Sequence, residues 1–151
     1  SKSMMFLSAS GLSQVSGRSC KYQKLTGAAH RNKIAGFAFL IGAFSMVGIP
    51  MTAGYISKVY FAQAAIQAPD PFKMMITVVT LGISTILNAV YFIRALIVIY
   101  RPQKVKEKMV PYRRDIKMAA ALLSLVATNL FLGLYSDAVV DLLREGLRMF
   151  S

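Results

Sequence analysis

Acidic side chains are scarce in this chain. Six Asp and Glu stand against eighteen Lys and Arg, and there is a single His. Asp115, Asp137, Asp141 and Glu145 fall at predicted helix ends or on the C-terminal stretch, and no carboxylate pair appears. No nucleophile triad and no Gly-rich phosphate loop is present, so no catalytic residue is assigned. The lone cysteine, Cys20, excludes an internal disulfide. Nine Met, nine Phe and seven Tyr are scattered without haem or metal-ligand spacing, so neither a metal nor a cofactor is expected.

Charge of either sign is missing from long stretches. Ile34–Ser57 is uncharged over 24 residues, Met74–Ile93 over 20 and Met118–Ser136 over 19. About 20 apolar residues in a helix cross the hydrocarbon core of a bilayer. A soluble domain of 151 residues, 56% of them hydrophobic, has no means of burying three such blocks on every face. The expected fold is all-α: a polytopic transmembrane helix bundle with one broken helix and a C-terminal amphipathic helix.

A net charge of +12 ordinarily raises nucleic acid as a partner. Here the basic residues lie between apolar blocks, with no aromatic-interleaved patch, so the partner they imply is the lipid bilayer and not a nucleic acid. Arg18, Lys21, Lys24, Arg31 and Lys33 fill the first loop without an acid. Arg101, Lys104, Lys106, Lys108, Arg113, Arg114 and Lys117 fill a later one against Glu107 and Asp115. The positive-inside rule puts both loops, 18–33 and 101–117, in the cytoplasm and the C-terminus outside. Two crossings within residues 34–67 would reverse the second loop, so that stretch is read as one tilted crossing, broken near 49–54. The remaining segments are 2–16, 72–100 and 116–135. An amphipathic tail over 137–150 carries Val139, Val140, Leu143, Leu147 and Phe150 on one face and Asp141, Arg144, Glu145 and Arg148 on the other.

Lys58 interrupts this apolar pattern, with the uncharged run Val59–Pro69 beyond it. A charge at membrane depth costs about 3 kcal/mol on insertion scales and marks function by default. Gly48, Pro50 and Gly54 precede it, the residues with which a helix is interrupted. Carbonyls that end the first half-helix can solvate the ammonium, and a lysine so held can load and release a proton as its surroundings change. Snorkelling to an interface is the competing role, and the eleven uncharged residues beyond Lys58 disfavour it. Lys2 is the second proton-pathway candidate, balanced against a helix-end lysine reaching water. Ser57, Ser84 and Asn88 are candidates for polar lining, with helix–helix hydrogen bonding as the commoner use. Arg94 is read as snorkelling, His30 as a solvated loop histidine, and Ala38, Gly42 and Ser45 as a close-packing face.

The stretch Phe39-Leu40-Ile41-Gly42-Ala43-Phe44-Ser45-Met46-Val47-Gly48-Ile49-Pro50, followed by Thr52-Ala53-Gly54-Tyr55-Ile56-Ser57-Lys58, resembles the proton-conducting membrane transporter family. That family comprises antiporter-like subunits of respiratory complex I, of membrane-bound hydrogenases and of Mrp-type cation/proton antiporters, and the likeness is greatest to the D-type subunit of the Mrp antiporters. The resemblance implies two inverted helix repeats, each with a broken helix, of which this chain would be the C-terminal part. It matches Lys58 to the lysine of the second broken helix, on the proton exit side. It matches Lys2 to a lysine on the polar axis joining the half-channels. Met51 departs from the family pattern by replacing a common second proline, and Gly27–Lys33 lacks the usual Lys-Met-Pro.

The implied function is proton translocation through a membrane half-channel, as part of a monovalent cation/proton antiporter subunit in a prokaryotic inner membrane. The implied partners are other membrane subunits of an antiporter or respiratory complex, together with protons and, as a further candidate, sodium. One alternative is an antiporter-like subunit of an NADH–quinone oxidoreductase or membrane-bound hydrogenase, and a second is a non-conducting scaffold.

Overall fold

The computed structural model describes residues 1–18, 21–67, 69–102 and 116–136, with positions 140, 141, 145 and 146 beyond them. The stretch 103–115 and most of the tail expected over 137–150 lie outside the described residues. Among the described residues the chain is all helix and turn: α1 (Lys2–Val15), α2 (Tyr22–Leu25), α3 (Ala28–Arg31), α4 (Lys33–Val47), α5 (Ala53–Ile66), α6 (Pro71–Tyr100) and α7 (Ile116–Leu134).

Local chemistry sets the helix ends. Asp70 caps α6 by accepting the Phe72 N–H at 3.0 Å, and Pro71 occupies the first turn, where its missing N–H is not needed. Asn32 caps α4 by accepting the Ala35 N–H at 3.2 Å. Gly48 ends α4 at φ 88°, in the left-handed region that glycine enters without a Cβ penalty. Its N–H and that of Ile49 both reach the Phe44 carbonyl, at 2.9 and 3.0 Å.

Helix α4 is apolar on all sides and is central, packing against α1, α3, α5, α6 and α7. It can do so because its buried positions are small: Ala35, Gly36, Ala38, Gly42, Ala43 and Ser45 accompany the single large Phe39. Small residues let helix backbones approach closely where lipid provides no hydrophobic drive between helices. Met4, Leu12 and Val15 of α1, Ala28 and Ala29 of α3, Ala95 and Ile99 of α6, and Leu122 and Val126 of α7 complete the core.

Helices α6 and α7 turn apolar faces outward. On α6, Ile86, Leu87 and Val90 are each more than 60% exposed. In water such a surface would cost roughly 25 cal/mol per Å²; in hydrocarbon it costs nothing. At 30 and 19 residues, α6 and α7 are both long and apolar enough to span a membrane. Helices α4 and α5, of 15 and 14 residues, are individually too short.

Candidate functional site at the helix break

Between α4 and α5 lie Gly48–Thr52, five residues that belong to neither helix. Such a break strands backbone carbonyls at the end of the first helix. Within the break itself, the Thr52 hydroxyl and N–H both donate to the Ile49 carbonyl, at 2.7 and 3.3 Å. The Val47 carbonyl is served by Lys58, whose Nζ donates to it at 2.7 Å from one turn inside α5. The same Nζ donates to Thr85 Oγ1 of α6 at 2.9 Å. Lys58 therefore folds back onto the end of the preceding half-helix instead of reaching outward along its own. Gly48 permits this, since a Cβ there would come within 2.9 Å of Lys58 Cδ.

Gly54 has a different task. A Cβ on it would fall on the Ser45 carbonyl, so the end of α4 and the start of α5 can cross only over a glycine. Its N–H donates to Ser45 Oγ at 3.2 Å. Ser45 Oγ also shares a 2.7 Å bond with Ser1 Oγ, which accepts from Asn129 Nδ2 of α7 at 3.0 Å. Ser45 and Asn129 are 1% and 4% exposed, and Asn129 Oδ1 is buried without a partner among the described residues. Pro50 is exposed in the turn, and Met51 takes φ 75°.

Among the described residues Lys58 has no carboxylate partner, and the ion pair formed there is the surface pair Lys73–Asp70, at 3.6 Å. Backbone and hydroxyl oxygens support the ammonium instead. A half-buried ammonium held by two dipoles and no counter-charge is a group whose charge can come and go without leaving an orphaned anion.

Lys2 stands elsewhere. The Ser1–Ser45 bond brings the start of α1 beside the end of α4, level with the break, and no hydrogen bond joins Lys2 to Lys58. Lys2 is exposed, at a cavity of about 670 Å³ whose walls include Met5 and Phe6 of α1, Phe39 and Met46 of α4, and Tyr91 and Phe92 of α6. Ser57 Oγ donates to the Gly54 carbonyl at 3.0 Å and takes no part in holding Lys58. Ser84 is exposed and Asn88 half-buried on α6, and a residue between them, Thr85, is the one that reaches the lysine.

Sequence reasoning passed over Thr85 and Asn129, because a single threonine or asparagine in an apolar helix gives no sign of its rotational register. It also passed over Arg31, whose guanidinium donates to the carbonyls of Val15, Lys24 and Thr26 at 3.0, 3.1 and 3.2 Å. His30, read as a solvated loop histidine, is exposed but bonded: its Nε2 lies 3.0 Å from the Tyr100 carbonyl, tying the loop to the end of α6.

The family model described as "NADH:quinone oxidoreductase/Mrp antiporter, TM" matches residues 1–84, the segment that contains α1, the break and Lys58. The chain belongs to this family. Relatives carry the name NADH-quinone oxidoreductase subunit N. That of Sorangium cellulosum, subunit N 1, is 33% identical over 52% of this chain and 15% of its own length. That of Solibacter usitatus, also subunit N 1, is 27% identical over 86% of this chain and 26% of its own length. The subunit N of Desulforudis audaxviator is 28% identical over 93% of this chain and 29% of its own length. The chain thus spans less than a third of the length of these curated relatives. No solved structure matches it. Family membership and the two long apolar helices make this a membrane protein of the antiporter-like class.

Proposed function

We propose that the chain forms a proton half-channel of an antiporter-like membrane subunit, with Lys58 as the group that loads and releases the proton. The observation that carries this reading is the pair of bonds from Lys58 Nζ to Val47 O and Thr85 Oγ1, inside a helix break and without a counter-ion among the described residues. Lys2, at the start of α1 and level with the break, is the second station of the pathway. Helices α4 and α5 in series, with the break between them, make one crossing. With α1, α6 and α7 they give the polytopic arrangement, with the basic loops cytoplasmic and the chain in a prokaryotic inner membrane among other membrane subunits.

Two host complexes fit. The likeness of the break motif to the D-type subunit of the Mrp antiporters favours a monovalent cation/proton antiporter, with sodium as the exchanged ion. The relatives named NADH-quinone oxidoreductase subunit N favour a respiratory complex, in which redox chemistry on other subunits drives the protons. Inverted membrane vesicles separate the two. Acidification on adding NADH, lost in Lys58→Ala at unchanged complex content, supports the respiratory host. Sodium-triggered release of an imposed proton gradient, lost in the same variant, supports the antiporter. If Lys58→Ala retained the wild-type rate in both assays, the half-channel reading would fail.

A further inference from the structure

We propose that Thr85 is a positioning residue for Lys58, its hydroxyl satisfying the lysine nitrogen in both protonation states so that the nitrogen stays in the break as the proton comes and goes. The inference rests on the proton-carrier reading of Lys58 and goes beyond it by assigning a role to a residue of another helix.

Thr85 Oγ1 lies 2.9 Å from Lys58 Nζ and 2.9 Å from the Leu81 carbonyl one turn back on α6. A hydroxyl has one hydrogen and two lone pairs. Against a charged lysine, which carries three N–H donors and no lone pair, Oγ1 must accept, and its own hydrogen points to Leu81 O. Once Lys58 has given up its proton, Nζ has a lone pair and needs a donor. Rotation about the Thr85 Cβ–Oγ1 bond swings the hydroxyl hydrogen from Leu81 O to Nζ. Leu81 O loses nothing essential, because it is also the i−4 acceptor of the Thr85 backbone N–H within the helix. The Val47 carbonyl accepts an N–H from either form of the lysine. No heavy atom moves, Thr85 keeps its own proton, and the proton released by Lys58 leaves by the channel.

Neither serine nearby can do this. Ser84 is exposed on α6, and Ser57 spends its hydroxyl on Gly54 O. Without a hydroxyl at 85, the Val47 carbonyl is the one partner left to Lys58 among the described residues. The ammonium then loses an acceptor and the neutral amine loses its donor.

The test uses the full-length subunit in its membrane complex, in inverted vesicles, with proton-translocation rates normalised to assembled complex. Thr85→Val and Thr85→Ala, one isosteric and one smaller, should each lose about tenfold in rate. Their pH–rate profiles should be displaced from that of the wild type. Thr85→Ser, which restores the hydroxyl, should recover the rate to within about twofold. Thr85→Val at the wild-type rate and profile would overturn the proposal. So would equal losses in Thr85→Ser and Thr85→Val, or a loss with an undisplaced profile, since either would mark Thr85 as packing. Lys58→Ala run in parallel separates the two levels. If it is silent, the proton-carrier reading itself fails; if it abolishes transport while Thr85→Val matches the wild type, only the role given to Thr85 fails.

Discussion

Gly54 and Ser45 meet where the two half-helices cross: the Gly54 N–H donates to Ser45 Oγ at 3.2 Å, while the Ser45 carbonyl occupies the space a Cβ on Gly54 would need. The contact fixes the start of α5 against the end of α4, and so fixes Lys58, one turn further on, against Val47 O. Gly54→Ala gains about 1 kcal/mol of helix propensity and still destabilises, because the obstacle is backbone and not the end of a flexible side chain. A net loss of roughly 2 kcal/mol is expected, read as a lower thermal midpoint of the solubilised complex and a reduced translocation rate per complex.

Arg31 closes the loop between α1 and α4. Its fork serves three carbonyls, Val15, Lys24 and Thr26, and lies 3.5 Å from Ser16 Oγ. All of these partners are neutral oxygens, so the arrangement is a cap on chain ends and not a salt bridge. Arg31→Ala should cost about 2–3 kcal/mol and expose the loop to added protease. Arg31→Lys should recover only part of this, since a point-charge ammonium cannot reproduce the planar fork.

Met51 sits at φ 75°, a conformation that costs a residue with a Cβ about 1 kcal/mol or more. Met51→Gly should therefore raise the thermal midpoint of the complex slightly and leave transport intact. Met51→Pro, which would restore the proline common in the family, cannot adopt this φ, because the ring holds it near about −65°. It should shift the turn and lower transport several-fold.

The proposed topology is checked by thiol labelling in a cysteine-free background. A cysteine at position 24, in the first basic loop, should resist an impermeant reagent applied to the outside of intact cells. A cysteine at position 70, at the start of α6, should react. The reverse pattern would invert the orientation, and equal labelling of both would contradict a single crossing over residues 34–67.

How much of this could be read beforehand depended on whether the signal was local. Helix ends were legible where one residue decides them, as with Gly48 at the end of α4, whereas the cap Asp70 and the first-turn Pro71 of α6 went unread. Lys58 was legible because a charge in an apolar run is anomalous wherever the helix turns. Its partners were not. Val47 O is a backbone atom with no side-chain signature, and Thr85 reaches the lysine only because α6 packs on α5 in one rotational register. Ser84 and Asn88, polar residues on the same helix, were equally plausible from spacing alone, and only that register separates them from Thr85. The buried amide of Asn129 and the fork of Arg31 likewise depend on chain segments brought together by the fold, which no periodicity encodes.

The central claim is that Lys58 gives up a proton in turnover, and Lys58→Arg tests it most directly. Arginine keeps the positive charge and can still donate to Val47 O and Thr85 Oγ1, but it does not deprotonate in a protein. Lys58→Ala would remove charge, cap and proton together, whereas this exchange keeps the charge and the N–H donors while removing the proton release. Proton translocation per assembled complex in inverted vesicles should fall in Lys58→Arg to near the level of Lys58→Ala, with the subunit inserted and assembled as in the wild type. A Lys58→Arg complex that translocates protons at the wild-type rate would show that the position needs only a cation, and would contradict the account.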